Sequence, residues 1–156
     1  LIGKREIYIP YNNVKFFDSD LRYKDIVQGR YPRRDLTRYE LHRVWVVEGN
    51  VRPDKRHTIA RRVFYLDEDS WLIVVVDGYD TKGNLWRVSE HLPQLLYEIP
   101  SCVSNAGIYY DLVAGRYVIT PAFNEEDEAD YLAGHKGEIG DDYGFTPDDL
   151  RRMGRR

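Results

Sequence analysis

Residues 38–90 constrain the fold of this chain most, because strand-like segments follow one another there with only short turns between them. Each segment is rich in β-branched and aromatic residues, and the gaps hold Gly, Asp, Asn and Pro, which favour turns. Consecutive strands joined by short turns pair as hairpins, so the pattern predicts a curved antiparallel β-meander. The four segments cover residues 39–48, 57–66, 70–79 and 84–90.

Short elements are expected on both sides of the meander. Pro10 ends a first strand, and Ala114 and Gly115 form the turn of a further hairpin. Pro93 interrupts an apolar run, which predicts an edge, a bulge or a short helical break. We therefore expect a mainly β fold with few short helices, including strands at residues 6–9, 108–112 and 117–120 and a helix over residues 18–27.

The chain is expected to be a single domain, residues 1–156, with a core sheet at residues 39–120 and an extended tail at residues 121–156. A chain of 156 residues can bury a core without disulfides, and the single Cys102 cannot form one within the chain. Pro147 at the first helical position predicts a short helix at the end of the tail. Residues 124–144 are expected to pack loosely on the sheet or to leave it, and their candidate anchors are Tyr131, Leu132, Ile139 and Tyr143.

Composition argues against two classes of function. The net charge is −3, from 23 basic and 26 acidic residues, and no basic stripe is present, so nucleic-acid binding is not expected. The longest apolar run, residues 71–76, is strand-sized and far short of the roughly 20 residues that cross a bilayer. No transmembrane segment is therefore expected.

The third segment is apolar on both of its faces, whereas a half-exposed strand alternates apolar and polar residues. Something must therefore cover both faces at the centre of the sheet. A helix at residues 21–27, sequence upstream of Leu1 or a bound apolar ligand would each do so, and cover by protein is the usual case. The two expected sets are Trp71, Ile73 and Val75 on one face and Leu72, Val74 and Val76 on the other.

No arrangement of residues points to catalysis. A nucleophile elbow, a phosphate-binding glycine loop and zinc-ligand spacing are all missing from the sequence, and the four histidines are scattered. We therefore expect no enzyme activity, no cofactor and no metal. Glu40 and His42 share a strand face and would bind a metal, move a proton, or form cross-strand hydrogen bonds to Arg61 or Arg62, the last being the structural alternative.

Six long blocks of the sequence stand out, namely GKREIYIPYNN (residues 3–13), RYELHRVWVVEG (38–49), FYLDEDSW (64–71), LWRVSE (85–90), DLVAGRY (111–117) and FTPDDLRR (145–152). Together they resemble a proteobacterial family of uncharacterised envelope proteins labelled outer-membrane lipoprotein-sorting-like. The resemblance covers nearly the whole chain, and the blocks follow one another in the same order. Because members of that family are longer, the chain is expected to be a C-terminal portion, with a signal peptide upstream.

This resemblance implies a periplasmic protein of Gram-negative bacteria, similar to the Lol lipoprotein carriers, whose fold is a curved, incomplete β-barrel around a hydrophobic cavity. It implies a non-catalytic carrier or chaperone for a lipid, a lipoprotein acyl chain or another hydrophobic molecule, held in the concave face of the sheet. An envelope exporter or an outer-membrane protein is the implied partner. The expected ligand-binding residues are Trp45, Phe64, Trp71, Val75 and Trp86, with a polar rim of Glu40, His42, Arg61 and Arg62.

Two other functions remain open at this stage. The chain would serve as a structural or interaction module of an envelope complex if its Tyr- and Arg-rich surface contacts a partner protein. It would be an enzyme only if Glu40 and His42 met Arg61 or Arg62 in one cleft.

Overall fold

The computed structural model describes residues 1–126 and 147–153, and its main element is one open seven-stranded antiparallel sheet. Neighbouring strands in the sheet are also neighbours in the chain, with β1 and β7 at the edges. The expected mainly β fold, a meander with few short helices, is confirmed. The strands are β1 (Gly3–Pro10), β2 (Tyr39–Asn50), β3 (Arg61–Asp67), β4 (Ile73–Tyr79), β5 (Leu85–Leu96), β6 (Ser101–Asp111) and β7 (Arg116–Thr120).

The connection between β1 and β2 contains three short helical turns. They are a 3-10 turn at Val14–Phe17, the single-turn helix α1 (Tyr23–Ile26) and a 3-10 turn at Arg34–Leu36. The longer helix expected over residues 18–27 is wrong at its start. The carboxylate of Asp18 accepts a hydrogen bond from the backbone N–H of Asp20, which stabilises a turn there instead of a helix.

One face of the sheet, which we call the inner face, is packed by the chain's own side chains. The helical turns cover its β5–β7 half, and β1 lies against β4 and β5, so the sheet curves around this face. Residues on the two halves form two separate apolar clusters. The first comprises Phe16, Ile26, Leu36, Leu92, Ala106 and Ile108, and the second comprises Ile9, Val44, Val46, Val63 and Val74.

Irregularities in β4 and β5 change the faces that the sequence pattern predicted. Trp71 precedes β4, has a positive φ of 59° and is 67% exposed, so its expected place within the strand is wrong. The register of β3 against β4 shifts beside Leu66. As a result Val74 is buried in the second inner cluster, although its neighbour Val75 pairs with Tyr65 on the same inner face. Strict alternation fails because a bulge adds a residue to one strand of the pair.

Of the three outcomes expected at Pro93, a bulge is the one that occurs. The register of β5 against β6 shifts between Leu92 and Pro93, and β5 continues to Leu96. The bulge accommodates a residue that has no backbone N–H to donate, so the strand passes through the proline without ending.

Residues 121–126 pack against the helical connection. The side-chain amide of Asn124, which is buried, donates hydrogen bonds to the carbonyl oxygens of Phe16 (2.8 Å) and Asp18 (3.2 Å). The backbone N–H of Tyr23 donates to the carboxylate of Glu125. A helix, α2 (Pro147–Met153), follows later in the chain. The expectations for residues 127–146, including the four apolar anchors, lie outside the described residues.

Candidate functional site

A row of mostly apolar side chains crosses the outer face, which is the face of the sheet opposite the helical turns. Antiparallel partners share a face, so the register of five consecutive strand pairs places one residue from each of β2 to β7 in the row. No described element packs over its β6–β7 end, where Tyr109 is 40% and Val118 is 58% exposed. The members of this outer row are Val47, Phe64, Val76, Ser89, Tyr109 and Val118.

Arginines form the neighbouring row on the same face. Arg62, Arg87 and Arg116 pair across the sheet with Gly78 and Asp111 at the level next to the apolar row. These five residues, together with Val76, Tyr109 and Val118, line an open groove of about 520 Å³, which we call the outer groove. Three guanidinium groups thus meet a single carboxylate in its lining, which gives the groove a positive potential.

The single carboxylate of the outer groove is already engaged. Asp111 accepts hydrogen bonds from the backbone N–H of Ala114 (2.9 Å) and from the indole N–H of Trp86 (3.1 Å), and Arg87 lies 3.7 Å away. The Ala114 hydrogen bond, followed by the Trp86 bond and the arginine charges, lowers the pKa of Asp111. It stays ionised and neutralises part of the arginine charge only.

Tyr109 lies flat on the sheet and forms the floor of the outer groove. A methyl group at Gly107 would meet the Tyr109 ring and hydroxyl at 2.8–2.9 Å, so only a glycine leaves room for this ring position. His91 contacts the ring edge-to-face, with ring centroids 5.9 Å apart. Burial lowers the pKa of His91, which therefore favours the neutral imidazole.

A second group of polar residues lies at the end of β3, away from the outer groove. Nδ1 of His42 is 2.8 Å from Oδ1 of Asp67 and 3.5 Å from Oδ2 of Asp69, while its Nε2 is 3.1 Å from Glu40. Asp67 is fully buried, and its other oxygen accepts hydrogen bonds from the N–H (2.9 Å) and hydroxyl (2.6 Å) of Ser70. We call Glu40, His42, Asp67 and Asp69 the histidine cluster.

Charges within the histidine cluster support one another. Desolvation works against a charged imidazole, but hydrogen bonds to Glu40 and Asp67 outweigh it and raise the pKa of His42. Asp67 is also desolvated, yet the hydrogen bonds from Ser70 and His42 lower its pKa. A hydrogen bond from Arg38 lowers the pKa of Glu40. These shifts favour an imidazolium at His42 beside ionised carboxylates.

The structure divides the five expected ligand-binding residues between different places. Trp45 and Phe64 lie on the outer face, where the Lys4 ammonium is 4.1 Å from the centroid of the Trp45 ring. Trp86 contacts Asp111 beside the outer groove. Val75 is on the inner face and Trp71 is in the turn before β4.

The expected polar rim is divided in the same way. Glu40 and His42 are together in the histidine cluster, whereas Arg61 bonds to Glu48 (3.2 Å) at the other end of β3 and stacks on Tyr79. Arg62 points into the outer groove. The expected cross-strand hydrogen bonds from Glu40 or His42 to either arginine are therefore not among the contacts of the described side chains.

Sequence reasoning did not identify the residues that complete either place. Arg87, Tyr109 and Arg116 had not been connected with Arg62, because only the register of four hairpins brings them together. Asp67 lies in the gap between the predicted segments at residues 57–66 and 70–79, where an aspartate is expected only as a turn residue. The available indication was its position at the end of a strand that pairs with the one carrying His42.

The comparisons with known proteins give a family and little else. A family model described as "Protein of unknown function (DUF1329)" matches residues 1–151. An "Uncharacterized protein PA3922" of Pseudomonas aeruginosa is 42% identical over all 156 residues, and the chain spans 33% of its length.

Two solved structures are similar in part. A crystal structure of a DUF1329 family protein from Desulfovibrio piger has a TM-score of 0.43 and 15% identity, over 50% of this chain and 32% of the other. A domain described as a putative outer membrane lipoprotein-sorting protein from Vibrio parahaemolyticus has a TM-score of 0.40 and 16% identity, over 63% and 42% of the two chains. None of the helices in the described residues is long and apolar enough to cross a membrane.

Proposed function

Because the chain belongs to the family described as "Protein of unknown function (DUF1329)", we propose its function from its surface: it is a non-catalytic carrier or chaperone for an amphipathic molecule. The ligand is a lipid, a lipoprotein acyl chain or a similar hydrophobic compound with an anionic group. The protein acts in the periplasm, as the resemblance to lipoprotein-sorting-like envelope proteins implies. The outer groove is the proposed binding surface.

The observation that carries this proposal is the apolar row lying directly beside the arginine row. Burial of apolar surface contributes roughly 25 cal/mol per Å², or about 0.8 kcal/mol per methylene, before the cost of ordering the ligand. Val76, Tyr109 and Val118 offer such surface to an acyl chain. Guanidinium groups form paired hydrogen bonds with carboxylate or phosphate, so Arg62 and Arg116 suit the anionic end of the same molecule.

The concave face, where the sequence resemblance put the ligand, offers less room. Its two halves are packed around buried Leu92 and Val44, and the helical turns add Phe16 and Ile26 to the filling. These side chains are close-packed, so a ligand that entered there would have to displace them, which would cost several kcal/mol. The proposal therefore places the ligand on the outer face.

A structural or interaction module is the second candidate, and the wide apolar exposure of the outer face favours it. Leu41 is 56% and Tyr8 is 70% exposed on the same face as Trp45, beyond the groove itself. Exposed apolar patches often mark protein interfaces. The partner in this case would be an envelope exporter or an outer-membrane protein. Since the chain spans a third of its curated relative, the activity of the whole protein is part of the same proposal.

An enzyme is the third candidate and has the least support. Its proposed residues were Glu40 and His42 with Arg61 or Arg62, and the two arginines lie at the other end of β3. The arginine that contacts the remaining pair, Arg38, is already bonded to Glu40 and to the carbonyl oxygen of Tyr11, so its guanidinium is engaged instead of being directed at a developing negative charge.

Binding of a fluorescent fatty acid to the 156-residue chain tests the proposal. Val118→Asp puts a carboxylate into the groove beside the acyl chain, and we expect it to weaken binding by at least tenfold. Val113→Asp is the matched control, because Val113 is 80% exposed in the β6–β7 turn and does not line the groove. Equal affinity of the two variants would refute the groove as the binding surface, and no binding by the parent chain would favour the interaction module.

A further inference from the structure

The histidine cluster contains three side chains whose ligand atoms point at a common space. One imidazole nitrogen of His42 and one carboxylate oxygen each from Asp67 and Asp69 lie within 4.8 Å of one another. An imidazole nitrogen with two carboxylates is a donor set that Zn²⁺ accepts and that Mg²⁺, which prefers oxygen and water, does not. The imidazole distinguishes this cluster from a simple group of acids.

The distances suit a zinc ion after a small adjustment. Zinc–ligand bonds of about 2.0–2.2 Å in tetrahedral geometry place ligand atoms roughly 3.3–3.5 Å apart. The separation of His42 Nδ1 and Asp69 Oδ2 is 3.5 Å, whereas that of Nδ1 and Asp67 Oδ1 is 2.8 Å. The distance between His42 Nδ1 and Asp67 Oδ1 must therefore increase by about half an ångström when the ion binds. The Asp69 side chain is 77% exposed, so it can move to keep its distance to the ion.

Each of the two buried donors is oriented by a partner outside the donor set. The Nε2 of His42 bonds to Glu40, which directs Nδ1 toward the two aspartates, as carboxylates do for zinc-bound histidines. Oδ2 of Asp67 is occupied by the N–H and hydroxyl of Ser70, which leaves Oδ1 for an ion. These are the outer contacts that a metal site needs in addition to its ligands.

The space beside the cluster allows an ion to enter. A cavity of about 490 Å³ is lined by Tyr11, Asp69, Ser70 and Cys102 and is separate from the outer groove. Three protein ligands leave one tetrahedral position, which catalytic zinc sites keep open for water or a ligand. Of the three ligands, Asp69 lines the cavity and His42 and Asp67 do not, so an ion would reach the cluster past the exposed carboxylate of Asp69.

We propose that His42, Asp67 and Asp69 form a binding site for one divalent cation of the zinc type, with Glu40 and Ser70 as the positioning residues. The sequence had indicated no metal site. The three ligands of this site come from two strands and a turn, and only the β2–β3 register brings them together. The site does not depend on the carrier function, since it lies at the opposite end of β3 from Arg62.

The alternative is that the cluster is an ion pair in which protonated His42 is itself the cation. In that state both ring nitrogens donate hydrogen bonds, Nδ1 to Asp67 and Nε2 to Glu40. With zinc bound, Nδ1 has no proton and only Nε2 donates. The two states therefore differ in a directly observable proton on one nitrogen.

Titration of the metal-stripped 156-residue chain with Zn²⁺ at pH 7.5, followed by calorimetry, distinguishes the two. We expect one ion per chain and at least a tenfold lower affinity in Asp69→Asn. Because this side chain is 77% exposed, we expect the variant to keep the fold. His42→Gln should abolish the site. Asp54→Asn is the control, an exposed aspartate paired only with Lys55 among the ion pairs of the described residues.

Long-range ¹H–¹⁵N NMR of the imidazoles gives the second readout. Zinc should shift the Nδ1 signal of His42 and leave Nε2 protonated, whereas Mg²⁺ should leave the signals of both nitrogens unchanged. Absence of saturable zinc binding would overturn the proposal. Binding of equal strength in the parent chain, Asp69→Asn and His42→Gln would also overturn it, because the ion would then be held elsewhere.

Discussion

Leu92→Ala should be among the most costly single substitutions in this chain. Leu92 is fully buried in β5, within the inner cluster that the helical turns cover. Removing three carbon atoms costs about 2.4 kcal/mol in transfer free energy, at about 0.8 kcal/mol per methylene, and the cavity raises the total to about 3–4 kcal/mol. For a chain of this size that corresponds to a melting temperature lower by roughly 6–16 °C.

Leu41→Ala is the matched control, because it makes the same chemical change on the outer face, where Leu41 is 56% exposed. We expect it to cost less than about 1 kcal/mol. Urea unfolding followed by far-UV circular dichroism gives both values, with an unchanged dependence on urea as the check that unfolding stays two-state. Similar losses in the two variants would refute the assignment of the inner face as the core.

Three further predictions concern the groove, the pH dependence and the tail. Arg116→Gln should weaken binding of a fatty acid by at least about tenfold, since a charged hydrogen bond is worth about 1.5–3 kcal/mol. Binding of the corresponding alcohol should be unchanged in a fluorescence competition assay. Burial lowers the pKa of His91, so as the pH falls below the ordinary value of 6.5 the unfolded chain binds more protons than the folded one and the free energy of unfolding should decrease. Urea titrations at pH 7.5 and 5 should show a smaller decrease in His91→Asn than in the parent chain. An equal decrease in the two would contradict this prediction. Asn124→Ala removes the side-chain donor to the carbonyl oxygen of Phe16 and one of the two donors to that of Asp18, which keeps the Leu21 N–H. It should lower the free energy of unfolding by about 1–3 kcal/mol, whereas a loss below about 0.5 kcal/mol would show that this contact adds little.

The order and type of most strands could be predicted from the sequence because each strand is a local pattern. Runs of β-branched and aromatic residues between turn residues do not depend on distant contacts, and neighbouring strands pair in chain order. Strand ends were less predictable. β3 begins at Arg61 instead of residue 57, and β6 extends back to Ser101 across residues whose apolar pattern is weak.

The assignment of residues to faces failed where the backbone departs from strict alternation. The bulges beside Leu66 and Pro93 depend on how two strands fit together, which a single strand does not record. Trp71 looked like the start of a strand because of its aromatic side chain, but the Asp67–Ser70 hydrogen bonds hold that residue in the turn. Face assignments made from one strand at a time therefore mixed inner and outer residues.

Both candidate sites are products of register. Arg62, Arg87 and Arg116 are separated by more than twenty residues each, and they meet only because four hairpins bring them to the same level of the sheet. Glu40 and His42 were recognised from their spacing of two in one strand. Their buried partner Asp67 comes from the next strand and required the structure.

Paramagnetic relaxation enhancement from a spin-labelled fatty acid tests the central claim most directly, because it reports which face of the sheet the acyl chain contacts. We predict that methyl and amide signals of Val76, Tyr109 and Val118, on the outer face, broaden strongly. Signals of Leu92 and Ile108, on the inner face, should change little. Strong broadening at Leu92 and Ile108 with sharp signals at Val118 would contradict the account and place the ligand within the inner clusters.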